Sequence, residues 1–168
     1  MSQYKLVRFN LNGKDVEKMV DVRASLTDML RNDYHMTSVK KGCEVGECGA
    51  CNVIIDGEAF NSCIYLAVWA EGKHIRTLES LMGPDGELSD IQQAFMDETA
   101  IQCGFCIPGL IMTAAEILDR QVYYTDDELR KLLSGHLCRC TGYEKIFKAV
   151  KKTMLRRLGM LDDPYLNS

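Results

Sequence analysis

The sequence predicts an α+β protein, with a small mixed β-sheet crossed by one helix in its first half and a compact bundle of four helices in its second. Three observations carry this expectation. Apolar and polar residues alternate around Asn12-Gly13 and Asp56-Gly57, two dipeptides suited to tight hairpin turns. Beyond the stretch Met82-Gly83-Pro84-Asp85-Gly86, the apolar spacing changes from that of strands to that of helices. The eight cysteines fall four to each half. The expected division is 1–80 for the sheet unit, 81–87 for a linker, 88–158 for the helical unit and 159–168 for an irregular tail containing Asp162-Asp163-Pro164.

Along the chain, Val7, Phe9 and Leu11 alternate with Leu6, Arg8 and Asn10 up to the first turn, and Val16 to Val22 reads as the return strand. Ser25 is a candidate N-cap, with Asp28 three residues on and Leu26, Met29 and Leu30 at helical spacing. Val53-Ile54-Ile55 and Ala59-Phe60 flank the second turn, and Ile75 to Leu78 reads as a last short strand. In the second half, Ser89 caps a helix whose apolar positions are Leu88, Ile91 and Phe95. Pro108 suits the first turn of the next helix. Thr125 precedes Asp126-Asp127-Glu128, acidic residues favoured at a helix start, and Gly135 ends that helix. The last helix runs from Tyr143 to Leu158, with Phe147, Val150, Met154 and Leu158 on one face.

Composition narrows the function. The chain has 168 residues, 46% hydrophobic and 26% charged, as globular chains do. Its formal charge of −4 gives no electrostatic case for nucleic-acid binding. The longest apolar run, Ile64 to Ala70, is far short of the roughly 20 residues that cross a bilayer. No apolar signal region or twin arginine opens the sequence, so a cytoplasmic chain is expected. There thiols stay reduced, and eight cysteines point to metal binding or catalysis rather than to disulfides.

Cys43, Cys48 and Cys51 have the spacing C-x4-C-x2-C, and Cys63 follows after eleven further residues. This is the plant-type ligand pattern of a [2Fe–2S] cluster. Three thiolates so close must curl around one object, and Gly42, Gly46 and Gly49 allow the backbone to do so while bringing amide N–H groups near sulfur. A four-cysteine zinc site would more often use two C-x2–4-C knuckles. The second set, Cys103-x2-Cys106 and Cys138-x-Cys140, admits either zinc or iron–sulfur by spacing alone. Each pair precedes a predicted helix, and two positive helix ends would favour a dianionic cluster.

The strings Gly42-Cys43-Glu44-Val45-Gly46-Glu47-Cys48-Gly49-Ala50-Cys51, Gln102-Cys103-Gly104-Phe105-Cys106 and Leu137-Cys138-Arg139-Cys140-Thr141-Gly142-Tyr143 occur in that order. Together they resemble the small iron–sulfur subunit of the molybdenum hydroxylases, the xanthine dehydrogenase and aldehyde oxidoreductase family, over roughly residues 4 to 158. The resemblance implies a β-grasp ferredoxin-like domain followed by a four-helix bundle domain, each holding one [2Fe–2S] cluster. It implies that the cluster of the helical domain lies near a molybdopterin-type molybdenum cofactor on a large partner subunit, with Gln102 approaching the pterin. The other cluster would lie nearer FAD on a flavin-binding subunit or domain. Two positions depart from the family pattern: Ile107 stands where Thr is usual, and His136 where Asn is usual.

The remaining residues place no substrate site on the chain. His35, His74 and His136 are the only histidines, and none forms the Cys-x-His pattern of a Rieske centre, so potentials nearer about −400 mV are expected. There is no G-x-G-x-x-G, no Walker loop and no framed nucleophile triad. Lys40-Lys41 and the cations Lys148, Lys151, Lys152, Arg156 and Arg157 read as solvated faces or partner contacts. His136 reads as a satisfied loop residue. The expected role is electron transfer from the molybdopterin centre through two clusters to FAD or another acceptor, most closely resembling xanthine or purine oxidation. The alternatives are the same role in a nicotinate- or aldehyde-oxidising hydroxylase, or a freestanding two-cluster ferredoxin.

Overall fold

The computed structural model describes residues 3–161, which leaves the Asp162-Asp163-Pro164 part of the expected tail outside the described residues. Strands β1 (Tyr4–Leu11) and β2 (Lys14–Asp21) form an antiparallel hairpin in which Leu11 pairs with Lys14. Its two turn residues, Asn12 at φ 53° and Gly13 at φ 84°, both adopt the left-handed conformation that such a turn requires. Strands β3 (Asn52–Ile55) and β4 (Glu58–Asn61) repeat the device through Asp56 and Gly57. Strand β5 (His74–Arg76) inserts between the hairpins, parallel to β1 and antiparallel to β3, giving the order β2-β1-β5-β3-β4.

The helix across the sheet begins as expected, with the Asp28 N–H donating to Ser25 Oγ at 3.1 Å. It is α-helical only over α1 (Leu26–Asp28) and continues as a wider π turn over Met29–Asp33. Leu26, Met29 and Leu30 are all buried, so the apolar pattern is obeyed while the hydrogen-bond register changes. Over two turns, apolar spacing does not distinguish the two registers. The expected strand Ile75 to Leu78 is likewise shortened. The Thr77 N–H turns away from the sheet to Asn12 Oδ1 at 2.8 Å, and Leu78–Leu81 forms a 3-10 turn. Val22 lies just past β2, and Leu88 is exposed ahead of the helix it was expected to face inward from.

The four helices are α2 (Asp90–Asp97), α3 (Ile107–Asp119), α4 (Asp126–Leu133) and α5 (Glu144–Arg157). Ser89 and Thr125 each make a reciprocal cap with a side chain three residues on, Gln92 and Glu128. Phe147, Val150 and Met154 of α5 are buried with Ile91, Phe95, Leu110 and Leu129. The basic residues of α5 form the expected solvated face, with Lys148, Lys152, Arg156 and Arg157 exposed, and several of them are also ion-paired. Lys151 pairs with Asp126 at 3.0 Å, Lys152 with Glu98 at 2.5 Å, and Arg157 forks onto Asp90 at 2.7 and 2.8 Å.

The halves share a buried seam. Val53 and Ile55 face the core under α1, while Ile54 faces the other way into a cluster with Met112 and Ala115 of α3. The uninterrupted apolar run of β3 thus marks a strand covered on both faces, and α3, buried almost all round, is the helix that covers it.

Within the sheet unit, a separate tie runs through Glu79, whose carboxylate accepts from Thr77 Oγ1 at 2.5 Å and from Ser38 Oγ at 2.7 Å. Burial pushes this carboxyl up, but the hydroxyl donors outweigh it and hold it below its ordinary 4.5. A lowered carboxyl stabilises the fold above its unfolded-state value, and that contribution disappears as pH falls through the folded-state value. Guanidinium unfolding of Glu79→Gln at pH 7 should show a loss of about 1–3 kcal/mol, the range for a hydrogen-bonded charged group. The same comparison near pH 4 should show a smaller loss.

Candidate metal centres

Residues 42–51 form a loop without regular structure between the helical turn and β3. Glu44 at φ 58°, Gly46 at φ 82° and Gly49 at φ 69° curl it leftwards. The N–H groups of Val45 and Glu47 aim at Cys43 Sγ, at 3.5 and 3.3 Å. These donors, first Val45 and then Glu47, lower the Cys43 thiol to about 6. Gly42 is required by close approach, because a Cβ there would come within 2.8 Å of Cys48 Sγ. Asn61 anchors the loop by donating to the Gly46 carbonyl at 2.8 Å.

Cys63 reaches this loop through the β3–β4 register. Asn52 pairs with Asn61, so Cys51 and Ser62 continue past the ends of the two strands side by side. Ser62 Oγ donates to the Cys51 carbonyl at 2.7 Å and lies 2.6 Å from Thr27 Oγ1. Burial, and then the adjacent Cys51 thiol, push Cys63 up to about 12. The thiols meet as two pairs, Cys43 with Cys48 and Cys51 with Cys63.

The second set gathers at the start of α3. Cys106 is the N-cap of α3, and burial followed by contact with Cys138 pushes it up to about 12. The contact with Cys103 raises the Cys140 thiol. Here too the thiols meet two and two. Cys138 Sγ lies 3.1 Å from Thr141 Oγ1, and the Cys138 N–H donates to the Tyr143 hydroxyl at 2.8 Å. Tyr143 holds the left-handed conformation at φ 69° as the N-cap of α5, so the helix starts one residue later than expected. Gln102 is exposed immediately before Cys103. Ile107 is buried in the helical core, where it adds packing in place of a hydroxyl.

The grouping of the thiols bears on which metal group suits them. A zinc ion takes four donors around one point, whereas a [2Fe–2S] cluster spreads four thiolates over two irons. Among the described residues, no three Cys, His, Asp or Glu side chains converge as one metal ion requires. Each set brings four thiols to one place, as the four-thiolate ligation of a [2Fe–2S] cluster needs.

The two sites abut in a way the sequence did not announce. The Leu137 N–H, one residue before Cys138, donates to the Cys48 carbonyl at 3.1 Å. Gly49 lies under α3 so closely that a Cβ on Gly109 would sit 2.1 Å from the Gly49 oxygen. His136 is 3% exposed, with Nε2 2.8 Å from Thr113 Oγ1. Burial pushes it down to about 4. It is only half satisfied, since Nδ1 is buried with no hydrogen-bond partner. The one sequence signal for this seam was the presence of Gly49 and Gly109, which close backbone approach demands.

Comparison with known proteins agrees with the geometry. Residues 9–77 match the 2Fe-2S iron-sulfur cluster binding domain, and residues 77–151 match the [2Fe-2S] binding domain. The chain is 47% identical over 146 residues to the xanthine dehydrogenase iron-sulfur-binding subunit of Escherichia coli O157:H7, covering 86% of this chain and 91% of that one. The chain belongs to the small iron–sulfur subunits of the molybdenum hydroxylase family. Another member, the nicotinate dehydrogenase small FeS subunit of Eubacterium barkeri, is 45% identical over 150 residues, covering 89% and 95%. The crystal structure of quinoline 2-oxidoreductase from Pseudomonas putida 86 superposes with a TM-score of 0.88 at 40% identity, over 94% of this chain and 98% of that one. As a molybdenum hydroxylase iron–sulfur subunit, the chain has two [2Fe-2S] binding domains and is an electron carrier within an oxidoreductase complex. No helix among the described residues is long and apolar enough to cross a membrane.

Proposed function

We propose that Cys43, Cys48, Cys51 and Cys63 ligate one [2Fe–2S] cluster and Cys103, Cys106, Cys138 and Cys140 the other. The pairwise meeting of the thiols in each set carries this assignment. Residues 1–80 and 88–158 are then the two cluster-binding units, joined by 81–87. Each cluster supplies one-electron redox chemistry when bound. The chain's own residues fix where that chemistry sits. Val45 and Glu47 direct N–H groups at Cys43 sulfur, which stabilises negative charge there. The Leu137–Cys48 hydrogen bond joins the two ligand loops.

In this reading the complex places a large molybdopterin-binding subunit beside Gln102 and the helical unit, and an FAD-binding subunit or domain beside the sheet unit. The location is cytoplasmic, a reading supported by eight cysteines that form no disulfide. The substrate is a nitrogen heteroaromatic ring, with an aldehyde as the alternative, since relatives named as aldehyde oxidoreductases are 36% identical. Relatives named for xanthine, nicotinate and quinoline are similar to this chain at 47%, 45% and 40% identity, so a purine has no clear advantage over a pyridine.

The complex, purified anaerobically and reduced with dithionite, tests this by low-temperature EPR alongside iron and sulfide analysis. Two distinct signals with about four irons and four sulfides per chain are expected. A single signal with half the iron would return the helical-unit cysteines to zinc. Reduction of both clusters by nicotinate or xanthine would choose between the rings. Elution as a 19.0 kDa monomer without large subunits would favour a freestanding ferredoxin instead.

A further inference from the structure

We propose that His136 is a positioning residue for electron passage between the two cluster sites, acting by holding the Leu137 N–H on the Cys48 carbonyl. The inference rests on the two-cluster reading above. Electrons tunnel more readily through covalent and hydrogen bonds than across gaps. The Leu137–Cys48 bond is a backbone bridge between a ligand of one site and the neighbour of a ligand of the other. The nitrogen that makes this bond is joined to the carbonyl carbon of His136. Whatever fixes the His136 side chain therefore fixes the bridge.

His136 is fixed from two sides. Its Nε2 lies 2.8 Å from Thr113 Oγ1 on α3, and Thr113 Oγ1 accepts from Asn52 Nδ2 at 2.9 Å. Asn52 follows Cys51, and His136 stands two residues before Cys138. The chain Asn52–Thr113–His136 thus links the ligand loops of both sites through one helix. On the other side, the imidazole lies close against Gly49. A Cβ on residue 49 would come within 2.3 Å of His136 Nδ1 and 2.7 Å of the Gly135 oxygen, so no other residue fits between Cys48 and Cys51 at that place.

This arrangement accounts for an otherwise costly feature. Nδ1 is a buried polar atom with no hydrogen-bond partner, and such atoms are rare enough in native structures to need a reason. A histidine kept only to fill space would be replaced at no cost by an apolar side chain. A ring wide enough to reach Thr113 while bearing on Gly49 sets the spacing of the two loops, and the unpaired Nδ1 follows from that contact.

The test uses the holo complex with His136→Ala, His136→Gln, Thr113→Val and Thr113→Ser. Iron and sulfide content and the EPR signals of each cluster come first. If the unaltered complex lacks two signals, the two-cluster reading fails, whatever the variants do. With both clusters present, the readouts are the magnetic interaction between the reduced clusters and the rate of inter-cluster electron transfer after rapid one-electron reduction. His136→Ala and Thr113→Val should keep full iron yet weaken the interaction and slow the transfer several-fold. Thr113→Ser and His136→Gln, which retain a hydrogen-bonding group, should restore much of both. A purely structural role would lower the melting temperature and leave the interaction unchanged. Unaltered interaction and rate in both His136→Ala and Thr113→Val would overturn the proposal. So would loss of the second site's iron in both variants, which would assign the residues to folding of the ligand loop.

Discussion

Replacing Cys106 with Ser is expected to remove one of two EPR signals and to lower the iron content from about four to about two per chain, leaving the sheet-unit site intact. Cys106 is the most deeply buried thiol of the second set and the N-cap of α3, and it meets Cys138 directly. In the metal-free chain, burial and that neighbour push the thiol up to about 12. Metal uptake must therefore expel its proton, and a serine hydroxyl is harder still to ionise. The same reasoning gives a pH dependence. Reconstitution of the second site with iron and sulfide should become less complete as pH falls, because protons compete with metal for the thiolates. Loss of both signals together in Cys106→Ser would show that the sites do not load independently. Unchanged iron would remove Cys106 from the ligand set.

Gly109→Ala should be the most damaging of the small substitutions. In an exposed helix interior, Ala is about 0.8–1.0 kcal/mol better than Gly, so propensity alone predicts a gain. Here the added methyl would lie 2.1 Å from the Gly49 oxygen and 3.1 Å from the Ala50 carbonyl carbon. Both obstacles are backbone, and α3 cannot retreat without opening its contact with Ile54 through Met112 and Ala115. Overpacking in cores costs about 1–3 kcal/mol, and the upper end is expected because neither side can rotate away. Urea unfolding would measure it. Gly135→Ala is the control: nothing lies within 4 Å of its Cβ position and its φ is not positive. It should be neutral or gain about 0.4–1 kcal/mol through the unfolded chain. Equal behaviour of the two variants would mean that the seam yields.

Much of the fold was legible because its determinants are local. Asn12-Gly13 and Asp56-Gly57 set their turns by backbone preference alone, and Ser89 and Thr125 cap their helices through side chains three residues away. The gathering of Cys43, Cys48 and Cys51 was legible for a similar reason, since thiols this close in sequence curl towards one place. What escaped was set at a distance. The strand ending at Arg76 was overestimated because Asn12, 65 residues earlier, takes the Thr77 N–H. The face of α5 was rightly read as solvated, but its ion pairs escaped because the acidic partners are far away in sequence. His136 was expected to be satisfied, and its unpaired nitrogen depends on Gly49, 87 positions away. Ile54 belonged to an obvious strand, but nothing nearby in sequence named the helix on its outer side.

That last contact bears on how the chain comes apart. Ile54 and Met112 are each 1% exposed and lie in one cluster that α3 and β3 share. A cut at Gly83-Pro84 would leave each fragment with an uncovered apolar face, so neither would be expected to stand alone at full stability. Heating the intact chain should then give a single cooperative transition rather than two, with calorimetric and van't Hoff enthalpies in agreement.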